Sequence, residues 1–205
     1  MKTLLQKSAL LFGAMLAVCA MAMPSLASAA SWSPGGTTHK LFMPDLVIST
    51  TVGSSTTAAV GCTASELDAD VVSASTIEIT GGSLQDCRGL APSIAATCTV
   101  TATATQFPWT VTAPTTTTIQ IHGIRVDMTL ENPPMFASCH AGGVNLTWTG
   151  TLTGGTWDPS ATGANRRITF DTQPGTSLHS TIGAFGAAKV SGSLRDTTGT
   201  LDLLM

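Results

Sequence analysis

Five cysteines, four histidines and a short run of alternating carboxylates are the side chains of this 205-residue chain whose types and spacing suggest chemistry. Cys19 sits in an apolar N-terminal stretch, which leaves Cys62, Cys87, Cys98 and Cys139 in the remainder. An even number of cysteines in an exported chain implies two disulfides, and four cysteines permit three connectivities. The spacing favours Cys87–Cys98, closing a short loop, with Cys62–Cys139 tying distant strands. A zinc site built on Cys139 and His140 is the rival, but the paired CxxC spacing of structural zinc sites is missing. His39, His122, His140 and His179 are scattered without HxH or HxxxH spacing, and each reads as a surface or loop residue. There is no nucleophile elbow, phosphate-binding glycine loop, dinucleotide fingerprint or zincin helix. No catalytic residue and no cofactor are therefore expected, and the chain reads as a non-enzyme.

Two further groupings have a chemical reading. Glu66, Asp68 and Asp70 share one face if their segment is a strand, and Ca²⁺, which prefers oxygen ligands, would relieve their repulsion. No glycine-containing calcium loop surrounds them, so a solvated strand face is the expectation and no metal is assigned. In Gln106-Phe107-Pro108-Trp109 two aromatics flank a proline that has no N–H to give to a ladder. That marks a bulge, a sheet corner or an edge. Trp109 is expected to plug the core where the chain changes sheet, and Phe107 with Trp109 is the candidate lining of an apolar ligand pocket.

The elements that must position these residues are strands. Thr is the dominant residue, Gly is abundant and Tyr is absent, which suits pleated strands punctuated by turns. Period-two alternation is clear in 99–105, with threonines on one face and Val100, Ala102 and Ala104 on the other. It recurs in 119–121, 124–131 and 144–149. The first strand candidate is 45–52, followed by 57–62, and weaker candidates are 71–80, 167–171, 189–194 and 200–203. Gly81-Gly82, Asn132-Pro133-Pro134, Gly142-Gly143, Gly154-Gly155 and Gly175 are expected turns. About ten strands with one apolar face each predict an all-β antiparallel sandwich, with a β-barrel or jelly roll as the alternative.

The N-terminus reads as a cleaved signal peptide, residues 1–29. Lys2 and Lys7 precede an uncharged apolar run from Ala9 to Met23, Pro24 ends it, and Ala27-Ser28-Ala29 gives the small-x-small cleavage pattern. The run is shorter than the ~20 residues that span a bilayer. Leu16-Ala17-Val18-Cys19 approximates a lipoprotein box, but Val18 is a poor residue before the cysteine, so release is expected rather than anchoring. Residues 30–205 are then a single disulfide-containing all-β domain with an irregular lead-in at 31–44. Removing Lys2 and Lys7 from nine basic residues leaves seven against twelve acidic ones, a net charge near −5. Nucleic acid is thereby excluded as a partner, and the mature chain has no transmembrane segment. The destination is secreted, cell-surface or periplasmic. Strand edges with few Lys or Pro residues invite self-association or contact with cell-surface and matrix components, with 31–44 available as a donated strand.

Several motifs in order resemble the exported, PraB-type family of protein activators of alkane oxidation. They are the signal peptide, Ser33-Pro34-Gly35-Gly36-Thr37, Val60-Gly61-Cys62-Thr63, and Ile77-Glu78-Ile79-Thr80-Gly81-Gly82 leading to Cys87. Phe107-Pro108-Trp109-Thr110-Val111-Thr112, the strand pair from Ile119 to Val126 and Cys139 before a Thr-rich tail follow. The segment with Trp157-Asp158-Pro159 and Arg166-Arg167 fits less well. The resemblance implies an extracellular, surface-associated protein that aids growth on hydrophobic substrates through adhesion or biofilm, and it carries over no catalytic residue.

Overall fold

The computed structural model describes residues 30–53, 56–132, 139, 141–158, 160–171, 178–183 and 185–204. The proposed signal peptide with Cys19, the Pro133-Pro134 turn, His140 and Gly175 lie outside the described residues. Fifteen strands follow one another: β1 Ser31–Ser33, β2 Thr38–Met43, β3 Leu46–Val52, β4 Thr56–Cys62, β5 Ser65–Ser73, β6 Thr76–Ser83, β7 Cys87–Gly89 and β8 Thr99–Ala104. The remainder are β9 Trp109–Thr112, β10 Thr118–Glu131, β11 Val144–Trp157, β12 Arg167–Phe170, β13 His179–Ser180, β14 Lys189–Asp196 and β15 Asp202–Leu204. The only helix among the described residues is one 3₁₀ turn, Gly163–Asn165, so none is long and apolar enough to cross a membrane.

All strand pairings are antiparallel, and the ladder closes on itself. Long β10 and β11 pair along their length, β11 pairs with β12, and β12 with β14. From this shared layer two circuits return. One end of β14, Lys189–Ser191, pairs with β3, which leads through β4, β7 and β8 back to Val126–Glu131 of β10. The other end, Arg195–Asp196, pairs with β2, which leads through β5, β6 and β9 back to Gln120–His122 of β10. The all-β antiparallel fold is thus a sandwich whose edges are hydrogen-bonded together and, among the described residues, the layer that carries β10 and β14 has no long open edge. That closure protects Thr-rich strands that have few charged gatekeepers.

The alternation explains which face each strand buries. In β8, Val100, Ala102 and Ala104 are buried while Thr99, Thr101 and Thr103 face out. In β10 the buried positions are Ile119 and Ile121, then Ile124, Val126, Met128 and Leu130. The parity changes at Gly123, which has φ +74° and sits in a register shift against β11. A bulge residue there keeps one continuous strand apolar-side-in across both circuits. The buried apolar side chains, Trp32, Trp109, Trp148 and Trp157 included, form one cluster.

The structure corrects several expectations. Gly154-Gly155 is not a turn but lies within β11, where it accompanies the second register shift. A Cβ on Gly155 would lie 2.5 Å from the Phe170 ring, so the close crossing of β11 over its neighbours needs glycine. Gly81-Gly82 likewise continues β6, and the 71–80 segment is split by a turn at Ala74-Ser75 into the β5–β6 hairpin. Residues 31–44 are not irregular: they contain β1 and the whole of β2. The inward positions of β2 are His39, Leu41 and Met43, and a polar residue at one of them hides the alternation.

The disulfides also differ from the expected pairing. Cys62 joins Cys87 and Cys98 joins Cys139, with Cα–Cα distances of 4.0 and 4.5 Å. The register of β4 on β7 sets Cys62 directly opposite Cys87, and register is not encoded in loop length. With Cys139 in a disulfide, the zinc alternative loses its thiolate.

Candidate functional site

The Gln106–Trp109 corner joins β8 to β9. Both strands lie along β10, but β8 neighbours β7 and β9 neighbours β6, so the corner carries the chain from one circuit to the other. Thr105 N–H donates to the Arg125 carbonyl at 3.0 Å, Gln106 turns through φ +55°, and Trp109 enters β9 opposite Ile79. Its indole N–H donates to the Thr105 carbonyl at 3.0 Å, so the polar end of the ring is satisfied within the corner. Trp109 is 4% exposed, and half-buried Phe107 stacks on it at 4.8 Å between centroids and 30° between planes. The two aromatics named from sequence therefore do form a unit, with Trp109 as the plug and Phe107 as its cover.

Beneath Trp109 lies an apolar cavity of about 60 Å³, walled also by Met43, Leu67, Ile121, Leu152 and Phe170. Ligand pockets run to about 300–1,000 Å³, and a dry cavity needs about 150 Å³ to take benzene. This cavity, formed by described residues, is too small for a chain of alkane length. Larger hollows are open clefts: one of about 400 Å³ beside Asp158 and Arg167 is mainly polar, and one of about 350 Å³ beside Thr38 and Asp70 is mixed, with Val71 and Val72 in its wall.

Glu66, Asp68 and Asp70 share the outward face of β5, as their spacing predicts. Cross-strand neighbours meet two of them: Lys40 Nζ lies 2.6 Å from Asp68, and the Thr38 hydroxyl donates to Asp70 at 2.6 Å. The Asp68 hydrogen bond and charge hold the Lys40 ammonium above its usual range. Among the described residues no three His, Cys, Asp or Glu side chains converge on a cation position.

Sequence reasoning missed a buried polar cluster. His39 is 1% exposed and Asp196 2%, with His39 Nδ1 3.5 Å from Asp196 Oδ2. Asp196 accepts from the Thr198 N–H and hydroxyl and from the N–H groups of Thr200 and Leu201, at 2.8–3.0 Å. Burial pushes its pKa up, but these donors, led by Leu201 N–H, prevail and hold the carboxyl below the ordinary range. The signal was legible in Asp196-Thr197-Thr198-Gly199-Thr200, a sequence suited to a turn wrapped around an aspartate.

Thr37 Oγ1 lies 2.7 Å from His39 Nε2, so hydroxyl, imidazole and carboxylate follow the order of a hydrolytic relay. The Thr37 hydroxyl, however, donates to the Pro34 carbonyl at 2.6 Å. It then accepts from the imidazole, the reverse of what a general base requires. The cluster fixes a turn.

On the outer face, Asp127 accepts from Thr147 at 2.5 Å and Thr105 at 2.9 Å and lies 3.3 Å from Arg125 Nε. The Thr147 bond outweighs burial and, with Thr105 and Arg125, lowers its pKa. His122 in β10 lies between the hydroxyls of Thr112 and Thr151, and His179 is exposed in β13. Among the three described histidines, His39 alone contradicts the surface or loop reading by full burial.

Two disulfides indicate folding in an oxidising, non-cytoplasmic compartment. Comparison with curated proteins and with solved structures finds no match. A family model described as alkane oxidation protein activator PraA/PraB-like matches residues 5–203, including the segment around Trp157 and Arg166, and the chain belongs to that family.

Proposed function

We propose that this chain is an exported, non-enzymatic accessory protein that aids the use of hydrophobic substrates such as alkanes, acting through its folded surface by adhesion or matrix contact. Membership of a family described as activators carries the reading. The surface supports it: 10% of the residues are charged, against about 25% in typical soluble proteins. A face of threonine hydroxyls and methyls has fewer ions to desolvate against an apolar phase or a neighbouring copy. The cavity below Trp109 favours surface contact over an enclosed ligand, because its volume is a fraction of what a pocket needs.

The test is a deletion strain compared with its parent on hexadecane and on a soluble carbon source, with biofilm and cell-surface hydrophobicity scored in parallel. Slower growth on hexadecane alone, restored by the intact gene, is expected. Equal behaviour of the two strains in all three measurements overturns the proposal. In the purified protein, titration with a fatty acid should give no saturable shift of tryptophan fluorescence. A saturable shift abolished by Trp109→Ala would instead establish the alternative, an extracellular binding module for a small apolar ligand at Phe107 and Trp109.

A further inference from the structure

We propose that β1 is exchanged between copies of this chain, so that Ser31–Ser33 of one copy pairs with β15 of a second and its Trp32 fills that copy's place beside Trp157. The inference deepens the surface reading above by naming the partner, a second copy, and the strand that joins them.

The two-stranded sheet of β1 and β15 stands apart from the thirteen-stranded ladder, with Ser31 opposite Leu204, Trp32 opposite Leu203 and Ser33 opposite Asp202. Its two strands are anchored very unequally. Asp196 holds the N–H groups of Thr200 and Leu201, each at 2.8 Å, immediately before β15. Arg166 reaches the Leu201 carbonyl at 3.3 Å and the Asp202 carboxylate at 2.8 Å. β15 is therefore a fixed receiving edge.

Among the described residues, β1 has no comparable polar anchors. It leaves the body through Pro34-Gly35-Gly36, where a Cβ on either glycine would meet nothing within 4 Å and Gly36 has φ +72°. The segment is tied at Gly36, whose N–H donates to the Val71 carbonyl at 2.8 Å, and across its own turn by the Thr37 hydroxyl, which donates to the Pro34 carbonyl at 2.6 Å. Ahead of the turn, β1 is held by its ladder with β15, by one hydrogen bond from Trp32 N–H to the Ala74 carbonyl, and by the burial of the small Ala30 side chain and the Trp32 ring. That ring is 3% exposed and meets Trp157 edge-on at 5.8 Å.

A short strand with one large plug, on an open glycine hinge, facing a rigid acceptor, is the geometry of strand addition. Exchange replaces each of these contacts by the identical contact in a neighbour, so protein concentration and hinge entropy set the balance. Because the donor and acceptor surfaces differ, the contact is head-to-tail and repeats from copy to copy unless a ring closes.

The test mixes two single-cysteine variants, Ser31→Cys and Leu204→Cys, at high protein concentration before mild oxidation. A covalent heterodimer is expected in at least about tenfold excess over the homodimers formed by either variant alone. Adding Trp32→Ala to the Ser31→Cys partner should reduce the yield while the circular dichroism of the main sheet is retained. Heterodimer no more abundant than the collision controls overturns the exchange. If that result accompanies a growth defect of the deletion strain on hexadecane, the exchange falls and the functional reading stands; heterodimer without a growth defect separates them the other way.

Discussion

The Asp196 carboxylate accepts from three backbone N–H groups of the turn that follows it and lies beside the buried imidazole of His39. A group whose folded pKa is depressed contributes stability above its unfolded pKa and loses it as pH falls through the folded value. Asp196 and Asp127 are both lowered from the reference of 3.8, so their contributions are full at neutral pH, begin to fall at about pH 4 and are lost as the pH passes through the depressed folded values. Urea unfolding at pH 7 and pH 3 should therefore show a stability loss on the acid side that is smaller in Asp196→Ala. At pH 7 the same variant leaves buried N–H groups without acceptors and should be destabilised by about 3–5 kcal/mol. A loss under about 1 kcal/mol would mean that water replaces the carboxylate and that the turn is not held by it.

At the scale of elements, the cross-links bind the circuit that contains β3, β4, β7 and β8. Cys62–Cys87 closes 25 residues and Cys98–Cys139 closes 41. Restriction of the unfolded chain then predicts stabilisation of about 3.5 and about 4 kcal/mol. Replacing each pair by serine should cost roughly those amounts in denaturant melts, and non-reducing peptide maps should show these two linkages. A Cys87–Cys98 peptide would contradict the β4–β7 register. Much of this element structure is legible in the sequence, because β8 and the second half of β10 alternate without interruption and Pro108 marks the corner. The Phe107–Trp109 unit follows from the same pattern. Gly154-Gly155 is misread because a glycine pair has the same local signature in a turn as in a bulge. β2 is hidden by the inward His39, whose burial depends on Thr37, Thr198 and Asp196, two of them more than 150 residues away. Cysteine pairing depends on register, which only the assembled sheet defines.

Across the whole molecule, β14 is the strand that completes both circuits, pairing with β3 at one end, β2 at the other and β12 along the side. The closure is long in sequence: Ser193 N–H donates to Asp45 across a separation of 148 residues. Until it forms, β2, β3 and β12 present open ladder edges, and the core lacks Val190 and Leu194. A chain ending at Ala188 should therefore lose the protection that closure gives to weakly charged strands. It should bind a hydrophobic dye, associate on light scattering and melt without the single cooperative transition of the full chain. The association expected of this truncated form differs in kind from β1 exchange, since it removes β15 and so cannot use that acceptor. A truncated protein that stays monomeric and melts cooperatively would show that either circuit is stable without the strand that joins them, and the molecule would then be two sheets in contact rather than one closed ladder.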